Sequence, residues 1–176
     1  MRVAMRRICF TVLIALVCAT YSAGDNASWH HYKSKTTYME QIPECFYRVS
    51  VKALILNEAR DKFLICKEES GIWELPGGGL DWGMTPQQDL PREVAEEMGI
   101  SVTKVADHPS YFITDKTINR GVWFVNVLYE AEVEHLDFTP SDECVDIAFV
   151  NQADLGDRRL FPSVRILAEQ FDPAQH

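Results

Sequence analysis

Basic charge, long apolar runs, internal repeats and usefully spaced cysteines are all scarce in this chain. The longest apolar stretch, residues 8–19, has 12 residues, against the roughly 20 that a bilayer-spanning helix needs, so a lasting transmembrane span is disfavoured. Two of the five cysteines, Cys9 and Cys18, lie in that stretch. The remaining Cys45, Cys66 and Cys144 have no metal-like spacing and read as buried free thiols. Lysine and arginine number 17 against 26 acids, a net charge of −9. Residues 1–38 hold five of the basic groups and one acid, which leaves 12 basic and 25 acidic groups, a net of −13, for the rest. A region that acidic repels a phosphate polymer and excludes extended nucleic acid as a partner. A small phosphorylated ligand remains compatible with it if divalent cations offset part of the charge.

What is present divides the chain into three. Arg2, Arg6 and Arg7 precede the short apolar run, and small residues follow near position 23. Residues 1–23 thus have the pattern of a secretory leader. Alternatively they are an N-terminal extension, with translation starting at Met39 and giving 138 residues. The first reading places the protein outside the cytoplasm or in the periplasm, the second in the cytoplasm. Residues 24–44 are polar and unpatterned and read as a linker. Residues 45–173 read as one domain with a sizeable core.

Within that domain "CFYRVSVKALILN" alternates and then turns fully apolar, and "KFLICKEE" returns as a second strand, predicting a hairpin. "IWELP" is a short strand stopped by Pro76. "SVTKVADHPSYFIT" and "GVWFVNVLYEAEV" are two further strands with "DKTIN" as their turn, "CVDIAFV" is another, and "LFPSVRILAEQF" is a closing amphipathic helix. Strands interleaved with two helices predict an α/β fold with a mixed sheet between helices.

The chemistry concentrates in "GGGLDWGMTPQQDLPREVAEEMGI", residues 77–100. Thr85, Pro86 and Gln88 supply an N-cap, an N1 proline and a capping-box partner, and Gly99 stops the helix after Met98. On that helix Glu96 and Glu97 lie about 300° and about 40° round from Glu93, so the three carboxylates share an arc of about 100°. Hard oxygens on one face suit Mg²⁺ or Mn²⁺. The helix's positive end would face the glycines, whose backbone N–H groups can approach an anion. On spacing alone such a triad is more often a solvated face.

The full spacing carries more. From Gly78, through Arg92-Glu93-Val94-Ala95-Glu96-Glu97-Met98-Gly99-Ile100, the stretch resembles the signature of the Nudix hydrolases. The likeness in layout runs from about Cys45 to the C-terminus, and "WELPGGGLDWG" resembles the family's approach to its box. The resemblance implies an α/β/α sandwich and hydrolysis of the pyrophosphate bond in a nucleoside diphosphate linked to another moiety. It implies Mg²⁺ (or Mn²⁺) held by Glu93, Glu96 and Glu97, with Arg92 orienting Glu93. Residues Gly77, Gly78 and Gly79 would form the phosphate-side wall. The base varies among members; it is a box glutamate or a later acid, and Glu143, beside Asp142, stands where such an acid occurs. A homodimer is common in the family. Outside the box Arg48 and Lys67 can reach a phosphate, and Tyr111, Phe112, Trp123, Phe124 and Phe161 can stack on a nucleoside. Surface charge and core packing are the commoner roles for such residues.

Two residues depart from the pattern. Met84 stands where the family has its first glutamate, a partner of the arginine, and methionine cannot accept from Arg92 as a carboxylate does. Weakened turnover is the expectation, and a catalytically weak Nudix-like nucleotide-binding module is the alternative. Pro91 either lies inside the helix and removes its bond to the Gln87 carbonyl, or sits in the first turn of a shorter helix capped by Asp89. Both placements leave the Glu93–Glu96–Glu97 register intact.

Overall fold

The computed structural model describes residues 47–117 and 121–176. The leader and linker expected over residues 1–44, and Cys45, lie outside the described residues, as does part of the turn expected near Asn119.

Strand β1 (Arg48–Leu54) runs parallel to β6 (Trp123–Val133), with Ser50 opposite Asn126. On the far side of β6 two antiparallel strands lie end to end, β5 (Tyr111–Lys116) and β4 (Val102–Val105). A second sheet is wholly antiparallel, in the order β3 (Trp73–Glu74), β2 (Phe63–Lys67), β7 (Asp146–Val150). Helices α1 (Pro86–Met98) and α2 (Pro162–Gln170) cover opposite sides. Val51, Ala53, Leu64 and Tyr129 pack with Leu90, Val94 and Met98 of α1. Leu54, Phe63, Ile65 and Leu128 pack with Val164 and Leu167 of α2. The result is the expected α/β/α sandwich with parallel and antiparallel pairing.

Alternation explains why β1 matters to the site. Its odd residues Val51 and Ala53 enter the α1 core, while its even residues run Arg48, Ser50, Lys52 and then apolar Leu54. One face of a single strand thus begins polar and ends in core.

Two strand expectations are corrected. The β1–β2 hairpin pairs only at its neck, through the Leu56–Phe63 bridge and the Leu64 N–H to Ile55 carbonyl bond of 2.8 Å. Beyond the neck β2 leaves for the second sheet. The single strand expected over residues 101–114 is two, because residues 107–109 loop out between the Ala106 and Ser110 N–H groups. These donate to the Glu130 and Leu128 carbonyls at 2.9 and 2.8 Å. Pro109, with no N–H to give, sits in the gap.

Helix α1 follows its local code. The Gln88 carboxamide oxygen accepts from the Thr85 N–H at 3.0 Å, and Gly99 closes the helix with φ 66° and a 2.9 Å bond from its N–H to the Ala95 carbonyl. Pro91 lies inside the helix, so the first of its two placements holds. No helix among the described residues is long and apolar enough to cross a membrane.

Candidate active site

The glycine segment is laid along the outer edge of β1 like a short extra strand. The Ala53 and Val51 N–H groups donate to the Pro76 and Gly78 carbonyls, each at 2.9 Å, and Leu80 N–H donates to Val49 at 3.1 Å. Close approach explains two of the glycines. Gly77 has φ 105°, and a β-carbon there would lie 2.5 Å from the Val51 carbonyl oxygen. At Gly78 a β-carbon would lie 2.0 Å from a Glu93 carboxylate oxygen. The segment therefore meets the second half of α1, at Glu93 and Glu97, rather than the helix's positive end.

Glu97 is the most constrained of the three box glutamates. It falls on the buried line Leu90–Val94–Glu97 and is 9% exposed. Its Oε2 accepts from the Gly77 N–H at 2.7 Å, which engages one of the donors expected to meet phosphate. Burial lifts its carboxyl from the usual 4.5 to about 7, against the opposing pull of Lys52 and of the Gly77 N–H. Lys52, buried at 5% exposure, donates from Nζ to the Gly77 carbonyl and lies 3.0 Å from Glu74 Oε1. Burial pulls the Lys52 ammonium down, but Glu74 and then Glu97 outweigh it, and its pKa ends above the usual value.

Arg92 gathers carboxylates from three directions. Its Nη2 donates to Glu93 Oε1 at 2.6 Å and to Asp81 Oδ2 at 3.1 Å, and its Nη1 donates to Glu96 Oε2 at 2.8 Å. Asp89 Oδ1 accepts from both Nε, at 3.1 Å, and Nη2. Asp89 is fully buried, and its Oδ2 accepts from the Asp81 N–H at 2.8 Å. The Asp89 bond, then that of Glu93, holds the guanidinium further above its ordinary pKa. Met84 is 38% exposed.

Of these groups Lys52, Glu74, Asp81, Glu93 and Glu97 open onto a cleft of about 1110 Å³. Its floor combines Arg48, Ser50 and Lys52 of β1 with Phe124 and Asn126 of β6, and Glu93, Glu97 and the three glycines form one wall. Asp142 and Glu143 line the rim beside Glu97. Ser141 ties that rim to the box: its hydroxyl donates to the Glu97 carbonyl at 2.7 Å and accepts from the Glu143 N–H at 3.1 Å. Phe124 and Phe161 meet in the cleft with ring centroids 5.2 Å apart.

The structure thus brings Glu93, Glu97, Glu143, Arg48 and residues 77–79 to one cleft, and leaves Glu96 and Arg92 outside its lining. The Glu96 side chain is 60% exposed and turned to Arg92. Among the described residues no three His, Cys, Asp or Glu side chains converge as a metal cage. Lys67 lies over the Trp73 ring at 5.9 Å, Tyr111 bonds His176 at 2.9 Å, and Phe112 is exposed; none lines the cleft. Lys52, Glu74, Asp81, Asp89 and Asn126 were not foreseen as site residues. The polar i, i+2 series Arg48, Ser50, Lys52 amid valines was a legible sign for the first of these. Cys66 and Cys144 are buried free thiols, as expected.

Strands packed between helices, with the Glu93 and Glu97 carboxylates held against a glycine segment at the wall of an open cleft, place the chain in the α/β/α sandwich class. A NUDIX domain model matches residues 46–171, and the chain belongs to the Nudix family, whose hydrolases act on pyrophosphate bonds. It is similar to the nucleoside triphosphatase NudI of Enterobacter sp. (strain 638), 30% identical over 121 residues, 61% of this chain and 86% of that one. It is also similar to the RNA pyrophosphohydrolase of Ruthia magnifica subsp. Calyptogena magnifica, 30% identical over 95 residues, 45% of this chain and 53% of that one. Among solved structures, the MutT protein from Methanosarcina mazei Go1 superposes with a TM-score of 0.63 at 25% identity, covering 76% of this chain and 99% of that one.

Proposed function

We propose that this protein hydrolyses the pyrophosphate bond of a nucleoside diphosphate linked to another moiety, with a divalent cation at Glu93 and Glu97. The observation that carries the reading is Glu97, a carboxylate held on the apolar line of α1 against the Gly77 N–H, with Lys52 beside it and the cleft in front. An apolar residue there would be cheaper for folding, since burying a carboxylate costs several kcal/mol by order of magnitude. Relatives named as a triphosphatase and an RNA pyrophosphohydrolase support the same bond type. The acidic balance of the chain favours a small nucleotide over a polymer.

Hard carboxylate oxygens fit Mg²⁺ or Mn²⁺, as does a family that generally uses divalent metals. Such an ion, when bound, supplies Lewis acidity at the phosphoryl oxygens and lowers the pKa of water. The chain's own residues do the rest. Arg92 fixes the Glu93 carboxylate, and Gly77 with Lys52 fixes that of Glu97. Glu96, bonded to Arg92 here, would hold the ion as a third carboxylate once freed from that bond. Arg48, beside Gly79, offers its guanidinium to a phosphate, and Phe124 with Phe161 offers an apolar wall to the nucleoside. Glu143, placed on the rim by Ser141, is the candidate to accept the proton of the attacking water; the alternative base is Glu93.

The test is incubation of the chain with Mg²⁺ and a panel of nucleoside triphosphates, dinucleoside polyphosphates and nucleotide sugars, beside Glu97→Gln. Turnover of any compound, lost in the variant, supports the enzyme. A panel without turnover, in which a nucleotide still raises the melting temperature, supports the second reading, a catalytically weak binding module, which Met84 motivates.

A further inference from the structure

We propose that Asp89, backed by Asp81, is the positioning residue that anchors Arg92 in this chain, where position 84 carries Met84 and offers no carboxylate. The proposal rests on the pyrophosphohydrolase reading for its kinetic test and on geometry alone for its spectroscopic one.

Arg92 needs a fixed partner on the side away from Glu93. Without one its guanidinium swings with the Glu93 carboxylate, and neither is held for the cleft. Position 84 cannot supply that partner, because methionine has no acceptor able to meet a guanidinium fork and is 38% exposed here. Asp89 does supply it. Three residues before Arg92 on α1, it faces the same side of the helix. One of its oxygens takes both the Nε–H and an Nη2–H of Arg92, and the other takes the Asp81 N–H at 2.8 Å. Asp81 closes the arrangement with its own carboxylate, 3.1 Å from Nη2. The guanidinium is thus gripped along its Nε–Nη2 edge, and Nη2 and Nη1 remain extended to Glu93 and Glu96.

Burial assigns Asp89 the same role. Asp89 is 0% exposed, as are its neighbour Leu90 and Val94, which belong to the core. A carboxylate in that company is retained only if its charge is matched. The partners it has are Arg92 and one backbone N–H, so the residue has no surface role to explain it. It is equally not needed as a helix cap, since Thr85 and Gln88 already close that end. An acid that is buried, uncalled for by the helix and bonded to the box arginine has one assignable use, which is to hold that arginine.

The experiment uses the full chain and four variants: Asp89→Asn, Asp89→Ala, Met84→Glu, and Asp89→Ala combined with Met84→Glu. Asp89→Asn keeps the shape and removes the charge. It is expected to lower kcat at least 10-fold with KM changed less than 3-fold, about the loss of one well-placed charge-assisted contact. Met84→Glu alone should leave kcat within 2-fold of the parent, because Arg92 is already held. In the double variant the new glutamate should recover most of the rate that Asp89→Ala loses. Independently of turnover and of metal, the Arg92 Nε–H should show slowed solvent exchange by NMR in the parent and in Met84→Glu. It should exchange freely in Asp89→Asn and be protected again in the double variant. Parent kcat together with retained Nε–H protection in Asp89→Asn would overturn the proposal. So would a double variant as slow and unprotected as Asp89→Ala, with both melting well below the parent, which would make Asp89 a purely structural residue. No turnover by the parent on any substrate defeats the enzymatic reading alone; the exchange pattern then decides for or against Asp89.

Discussion

Removing the charge at position 97 should make the protein more stable and inactive at the same time. Burial raises the Glu97 carboxyl from 4.5 to about 7. At ~1.4 kcal/mol per pH unit, holding that group ionised in the folded state costs about 3 kcal/mol at pH 8. The sign follows from proton uptake. Between pH 4.5 and 7 the folded chain keeps a proton that the unfolded chain has lost, so stability falls as pH rises through that window and stays low above it. Glu97→Gln removes the titration, and its carboxamide oxygen can still accept from the Gly77 N–H. Urea unfolding with a chelator present should therefore show the variant more stable by up to ~3 kcal/mol at pH 8, with the difference closing as pH falls to about 4. Saturating Mg²⁺ should narrow the gap at pH 8 by stabilising the parent alone. A variant no more stable than the parent at pH 8 would mean that Lys52 and Gly77 already offset the cost of burial, and would rule this effect out.

Three other substitutions probe the surrounding contacts. Gly78→Ala puts a β-carbon 2.0 Å from a Glu93 oxygen, so turnover should fall at least 10-fold while the melting temperature moves by only a few degrees, the obstacle being the end of a flexible side chain. Lys52→Met strips the counter-charge from Glu74 and Glu97 and should destabilise by about 3 kcal/mol at pH 8 and by less at pH 5, read by urea unfolding. Pro91→Ala restores an N–H that can donate to the Gln87 carbonyl, and should raise stability by roughly 1–3 kcal/mol in the same assay without changing turnover.

How much of this was legible in the sequence depended on the range of the interaction. The bounds of α1 follow from Thr85, Pro86, Gln88 and Gly99, all of them local signals. The pairing of β1 with β6, 76 residues apart at Ser50 and Asn126, leaves no local trace, so the sequence points to the adjacent β2 as partner instead. The glutamate register was also readable, but the unequal fates of Glu96 and Glu97 were not. The difference arises where the Leu90–Val94 line meets β1, which puts Glu97 under the glycine segment and leaves Glu96 in solvent. Asp89 illustrates the same limit. In the sequence it is a plausible cap for a shortened helix, and only the packed helix shows it buried against Arg92.

Hydrolysis at Glu93 and Glu97 requires that water attack phosphorus in their cleft. Turnover in ¹⁸O-labelled water with Mg²⁺, read by mass spectrometry of both phosphate products, tests it most directly. One ¹⁸O in one product per event is expected with the parent, and no labelled product with Glu97→Gln. Labelled product formed equally by parent and variant, or none from a folded, nucleotide-binding parent, would contradict it.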